Sequence, residues 1–248
     1  MSTVFNFTFV PWFRSVAPYI HMHRGKTFVV AVAGEAIAAG KLPSLAQDLA
    51  LIQSMGVKIV LVHGFRPQVN EQLKAKGHAP QYSHGIRITD SVALDCAQEA
   101  AGQLRYEIEA AFSQGLPNTP MAGATIRVIS GNFITARPIG IVDGVDFQHS
   151  GLVRKVDVPG ISKSLNLGAM VLLSPFGFSP TGEAFNLTME EVATSVSIAL
   201  QADKLIFVTE VPGIRVKPFE PAGDDNPVDT EMPLDTAETL LSQAPAPN

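Results

Sequence analysis

The stretch Lys26-Thr27-Phe28-Val29-Val30-Ala31-Val32-Ala33-Gly34 decides the fold. Its continuous apolar, largely β-branched run leaves neither side polar, so it reads as a strand buried on both faces that ends at a small-residue turn. From Ser44 to Met55, Leu45, Leu49 and Ile52 recur at helical spacing, and the pattern stops at Gly56. Val57 to Val62 is a second apolar strand that runs directly into His63-Gly64. Strand, helix and strand in that order describe neighbouring parallel strands joined by a crossover.

Working outward, Pro67 opens a helix through Lys76 that Gly77 ends, and Asp90 caps a long Ala-rich helix to Phe112. Met170 to Ser174 and Leu205 to Thr209 read as further buried strands. Thr188 caps a helix to Leu200, with Glu191 as the capping-box acid. Between Thr125 and Ile141 the texture changes to short strands, and Asp143-Gly144 and Ser150-Gly151 mark tight turns of a β-rich excursion. The pattern predicts an α/β fold: a three-layer α/β/α sandwich with a mainly parallel central sheet, plus that excursion. Ahead of it, Pro11 to Ile20 forms a short amphipathic helix with Trp12, Val16, Tyr19 and Ile20 on one side. Behind it come a Pro/Asp/Gly-rich loop over 217–233, a short helix from Thr236 to Leu241 and a Pro-Ala end. The expected organisation is an arm and helix over 1–25 for oligomer contact, a main domain over 26–241 and a tail over 242–248.

The chain has 248 residues, with 18 Lys+Arg against 23 Asp+Glu for a net charge of −5, and 46% hydrophobic residues. This is a globular composition with ample material for a core. Charged residues make up only 17%, against about 25% in an ordinary soluble domain, so some surface is expected to be covered by another subunit or a missing domain, a second copy being the first guess. With no Lys/Arg-rich run, nucleic acid is not expected as a partner. The single cysteine, Cys96, excludes an intrachain disulfide and a Cys-clustered zinc site, and fits a reducing compartment. No apolar stretch approaches the ~20 residues that span a bilayer. Val4 to Val10 has no preceding basic segment or cleavage pattern, so a cytoplasmic chain without a signal peptide is expected.

Strand-to-glycine junctions at Ala33-Gly34, His63-Gly64 and Phe176-Gly177 lie where a doubly wound sheet places ligands. Each alone is equally a plain turn. Neither G-x-G-x-x-G nor G-x-x-x-x-G-K-[ST] occurs, which removes the main warrant for a dinucleotide or P-loop site. Arg87, just ahead of the long helix, can hold a carboxylate with its guanidinium fork or make a surface ion pair. His63 reads as structural, and His21 and His23 lack a third ligand at metal spacing, so no metal site is expected.

Taken together and in order, several motifs resemble the amino-acid kinase family, and within it the kinase-like domain of the N-acetylglutamate synthases. They are Phe13-Arg14 through Pro18-Tyr19-Ile20, His23-Arg24-Gly25-Lys26, Gly34-Glu35-Ala36-Ile37, Gly64-Phe65-Arg66-Pro67-Gln68, Ile86-Arg87-Ile88-Thr89-Asp90, Ser130-Gly131-Asn132-Phe133, Asp143-Gly144-Val145-Asp146 and Gly182-Glu183-Ala184-Phe185-Asn186-Leu187-Thr188. The resemblance covers nearly the whole chain and implies the carbamate-kinase-like sandwich. Its departures separate kinase from synthase. Similar active acetylglutamate kinases carry a lysine two residues before a Gly-Gly pair in the first strand, where this chain has Ala31. Losing that cation implies a loss on the order of a thousandfold or more in phosphoryl transfer. Phe65-Arg66 replace further glycines after Gly64, and Glu190 replaces the aspartate that organises the family's lysines.

The resemblance therefore implies a site that is vestigial, made of Ala31, Gly34, Gly64, Arg66, Arg87, Asn186 and Glu190, with no catalytic residue in this chain. It implies a domain that oligomerises through its N-terminal helix and takes L-arginine as effector, Tyr19 being the one contact carried over or else a packing aromatic. It binds no cofactor of its own. Acetyl-CoA would be the substrate of an acetyltransferase domain, in cis or in trans, absent from these 248 residues, and the end of the kinase-like domain is expected to be missing after Leu241. The alternatives are an active acetylglutamate or related amino-acid kinase, and a stand-alone arginine sensor or scaffold.

Overall fold

A computed structural model describes residues 9–114, 122–123, 125–211, 213–217 and 226–242. Its first half contains α1 (Phe9–His23), β1 (Thr27–Val32), α2 (Gly34–Ala38), α3 (Leu42–Ser54), β2 (Lys58–His63), α4 (Arg66–Ala75), β3 (Gln81–Ser83), β4 (Ile86–Ile88) and α5 (Ser91–Ser113). There follow β5 (Val128–Ser130), β6 (Ile134–Pro138), β7 (Ile141–Val142), β8 (Val145–Asp146), β9 (Gly151–Val156), α6 (Val158–Asn166), β10 (Met170–Leu173), β11 (Phe176–Phe178), β12 (Ala184–Asn186), α7 (Met189–Leu200), β13 (Lys204–Val208) and α8 (Leu234–Ser242).

The central sheet has five parallel strands in the order β13-β1-β2-β10-β5. Side chains alternate across a strand, so β1 sends Phe28, Val30 and Val32 into a cluster with α2 to α5. Its Val29 and Ala31 enter a second cluster, with Ile161 and Leu165 of α6 and Val192, Ala193 and Val196 of α7. These two clusters make the three layers. The lone Cys96 is a buried small residue of α5. Asp90 caps α5 as expected, its carboxylate accepting from Ala93 N at 2.8 Å.

The β-rich excursion is a second, mixed sheet, β12-β11-β6-β9, with the small β7–β8 hairpin beside it. The hairpin turns at Asp143 (φ 50°) and Gly144 (φ 79°), as Asp-Gly predicts. Four expectations change. Val128–Ser130, placed with the excursion by its short length, is a parallel strand of the central sheet because it pairs with Met170–Leu172. Ser150-Gly151 is not a tight turn: Gly151 opens β9, and a Cβ there would lie 2.7 Å from Phe185 Cβ and 2.9 Å from Arg137 O, so close packing explains the glycine. Gly177 likewise lies inside β11 against Ala136 and not at a ligand turn.

Glu191 supplies the fourth change. Thr188 Oγ1 does accept from Glu191 N at 3.2 Å, yet the Glu191 carboxylate does not complete a capping box. Both of its oxygens lie 3.0 Å from Val153 N, so it accepts that amide of β9 and ties α7 to the second sheet. Burial pushes this carboxyl's pKa up, against the pull of the Val153 N–H, Ser195 and Arg137. Glu191→Ala is expected to cost about 1 kcal/mol, the lower end of the penalty for orphaning a donor, since the Val153 amide is part-buried, and Glu191→Gln well under half of that. Urea denaturation of the two variants checks this.

No helix among the described residues is long and apolar enough to cross a membrane. Residues 218–225 of the expected loop, and 243–248 of the tail, lie outside the described residues.

Candidate functional site

The carboxyl ends of β1 and β2 lie side by side, with Gly64 N donating to Val32 O at 2.7 Å. Two glycines permit this approach. A Cβ on Gly64 would sit 2.8 Å from Gly34 N, and one on Gly34 would sit 2.9 Å from both Gln68 Oε1 and Pro67 Cδ. Above them opens a cleft of about 730 Å³, the open solvent at its mouth included. Ala33, Gly34 and Glu35 form one wall, and Gly64, Phe65 and Arg66 another. Tyr82, Ile86 and Arg87 come from the β3–β4 hairpin, Ser150 and Gly151 from the start of β9, and Asn186 through Glu190 from the entry into α7.

Arg87 is the buried charge of this site. It is only 8% exposed, so the surface ion pair is excluded. Its Nη2 donates to Asn70 Oδ1 at 2.6 Å, its Cζ lies 4.9 Å from the centre of the Tyr82 ring, and Nη1 is buried with no partner among the described residues. Burial lowers its pKa, with Tyr82 opposing and Arg66 adding to the effect. A guanidinium keeps its proton at neutral pH all the same. Beside it, Asn186 is 7% exposed; its Nδ2 donates to Thr89 Oγ1 at 3.0 Å, which leaves Oδ1 buried and unpaired. Ser150 Oγ lies 2.8 Å from the same Thr89 hydroxyl and 2.5 Å from the Arg87 carbonyl oxygen, fixing the backbone that carries Arg87.

This arrangement can take a small carboxylate beside Arg87, which lines the cleft. The described lining residues include Arg66, Arg87, Glu35 and Glu190 and no lysine, and the Phe65 side chain turns into the core cluster.

Six of the residues singled out from the sequence meet here: Gly34, Gly64, Arg66, Arg87, Asn186 and Glu190. Ala31 does not. It is fully buried two residues before the cleft's edge, with its methyl group in the cluster under α7. Tyr19 does not either, since it is 62% exposed on α1, which contributes nothing to the cleft lining. Val10 and Met22 of that helix are more than half exposed as well. His63 is structural. It is fully buried, its Nε2 lies 2.7 Å from Ser174 Oγ, and burial lowers its pKa to about 4. Sequence reasoning misses Glu35, Asn70 and Tyr82. A hairpin signal was available for Tyr82: His84 and Gly85 turn at φ 51° and 72°, setting Tyr82 directly across from Arg87.

Comparison with known proteins agrees with this geometry. Residues 26–239 match the model of the amino acid kinase family. An amino-acid acetyltransferase of Ralstonia nicotianae is 63% identical over 206 residues, which are 83% of this chain and 46% of that protein. One from Photobacterium profundum is 48% identical over 94% of this chain and 52% of its own length. The chain therefore spans about half the length of these relatives. The structure is similar to that of N-acetylglutamate synthase from Neisseria gonorrhoeae complexed with coenzyme A and L-arginine, with a TM-score of 0.83 and 36% identity over 96% of this chain and 54% of that one. Isopentenyl phosphate kinase shares the fold alone, at a TM-score of 0.54 and 14% identity over 77% of this chain and 75% of that one. A parallel sheet whose strand ends meet at two glycines, and a family match running from β1 into α8, lead to one conclusion: this chain belongs to the amino acid kinase family.

Proposed function

We propose that this chain is the kinase-like domain of an N-acetylglutamate synthase, in which the fold serves assembly and arginine control and phosphoryl transfer is lost. Acetyl transfer from acetyl-CoA to the glutamate amine, the first step of arginine biosynthesis, belongs on this reading to an acetyltransferase domain joined in cis or acting in trans. This domain holds no cofactor of its own and works in the cytoplasm, where the lone buried thiol is at home. The cleft keeps the ability to hold a small carboxylate at Arg87. One observation supports the loss of kinase chemistry: the described cleft lining contains two arginines, two glutamates and no lysine. Phosphoryl transfer depends on positioning and on net positive charge at the moving group, and a missing cation costs on the order of a thousandfold.

Incubation with ATP, magnesium and N-acetyl-L-glutamate is expected to give no turnover above background. Turnover that disappears in Arg87→Ala would overturn the reading. L-Arginine, the proposed effector, is expected to raise the thermal midpoint, because a ligand selective for the folded state adds about 2.7 kcal/mol at a hundred times its Kd. Tyr19→Ala should shrink that shift, and light scattering with and without α1 tests the helix as the contact between copies. A flat midpoint at millimolar arginine removes the sensing role.

A further inference from the structure

A buried arginine that serves only to hold a fold together normally has an acid partner, because an unpaired charge away from water is costly. Arg87 has none among the described residues. Its Nη2 hydrogen bond goes to the neutral amide oxygen of Asn70, on α4, and the charged group named beside it, Arg66, carries the same sign. The same Asn70 Oδ1 also accepts from Tyr82 Oη at 3.1 Å, while the Tyr82 ring lies along the guanidinium. One atom on a helix thus fixes both the cation and the aromatic that packs on it, and adds no negative charge.

We infer that Asn70 is a positioning residue that aims the Arg87 guanidinium at the cleft without neutralising it, so that the charge is kept for a carboxylate ligand. This rests on the proposal that the cleft holds a small carboxylate. Aspartate at 70 has nearly the shape of asparagine and would place a carboxylate where the amide oxygen now lies, 2.6 Å from Nη2. The resulting pair would satisfy the buried cation and compete with any ligand for it.

The test is Asn70→Asp in the full chain, with N-acetyl-L-glutamate as the probe. The thermal midpoint without probe is expected to rise by a few degrees. The dissociation constant measured by calorimetry is expected to rise tenfold or more. Opposite signs in stability and affinity are the signature, since a residue with a merely structural role loses both together or neither. Asn70→Ala serves as the second variant: it removes the hold without adding charge, and should weaken binding several-fold with no gain in midpoint. Wild-type protein that binds the probe, beside an Asn70→Asp variant that binds it equally well, overturns the inference and leaves the carboxylate reading standing. Wild-type protein that fails to bind the probe at millimolar concentration sinks the carboxylate reading, and the inference with it.

Discussion

Lysine at position 31 is expected to destabilise the protein by about 4 kcal/mol or more and to restore no phosphoryl transfer. Ala31 lies in an inner strand, paired on one side with Val62 and on the other with Phe207. It is fully buried among Val29, Val60, Val62, Val192 and Ala193, and Met189 belongs both to this cluster and to the cleft wall. A lysine there must overpack the cluster, at about 1 to 3 kcal/mol. It must also bury an ammonium without a partner or give up its proton, at several kcal/mol more. For a chain of this size each kcal/mol moves the thermal midpoint by roughly 2 to 4 °C, so a drop on the order of 10 °C is the observable. Ala31→Met separates the two terms, since it carries the volume without the charge and should lose only the smaller one. A lysine variant with the wild-type midpoint and measurable ATP turnover would show instead that this side chain threads past Met189 into the cleft.

Acidification from pH 6.5 to pH 4 is expected to remove about 3 kcal/mol of stability through His63 alone. Burial lowers the pKa of this imidazole from 6.5 to about 4, because a charged ring under the sheet would lose its hydration. Between those two values the unfolded chain binds the proton and the folded protein does not, so stability falls as pH falls. The contribution is complete above pH 6.5 and gone below pH 4. At about 1.4 kcal/mol for each pKa unit, the gap sets the size of the loss. Urea titrations at several pH values, repeated on His63→Gln, measure it. The variant keeps a polar side chain near Ser174 but has no proton to take up, so its profile should be flatter across this window. Equal slopes would mean that His63 is charged in the folded protein.

The amino-acid sequence by itself determined the elements and the class of fold, because those depend on local pattern. The run Phe28 to Val32 allows no solvent-facing side, Asp90 and Thr188 cap the helices that follow them, and Asp143-Gly144 turns a hairpin. It also marked six cleft residues: Gly34 and Gly64 as strand-end glycines, Arg87 by its guanidinium ahead of a long helix, and Arg66, Asn186 and Glu190 through the resemblance of their motifs to the family. Only the tertiary structure decided which partners those residues meet. Val128–Ser130 joined the central sheet through pairing with a strand some forty residues on. Glu191 turned from its own cap to an amide of β9. Thr89, Ser150 and Asn186, up to 97 residues apart, closed into one network behind Arg87. The facing of Ala31 and the neutrality of His63 were settled in the same way, by what surrounds them after folding. Periodicity reports which side of an element is apolar, whereas a pKa, an unpaired guanidinium or a cleft wall is set by atoms brought from distant segments, and no local pattern carries that.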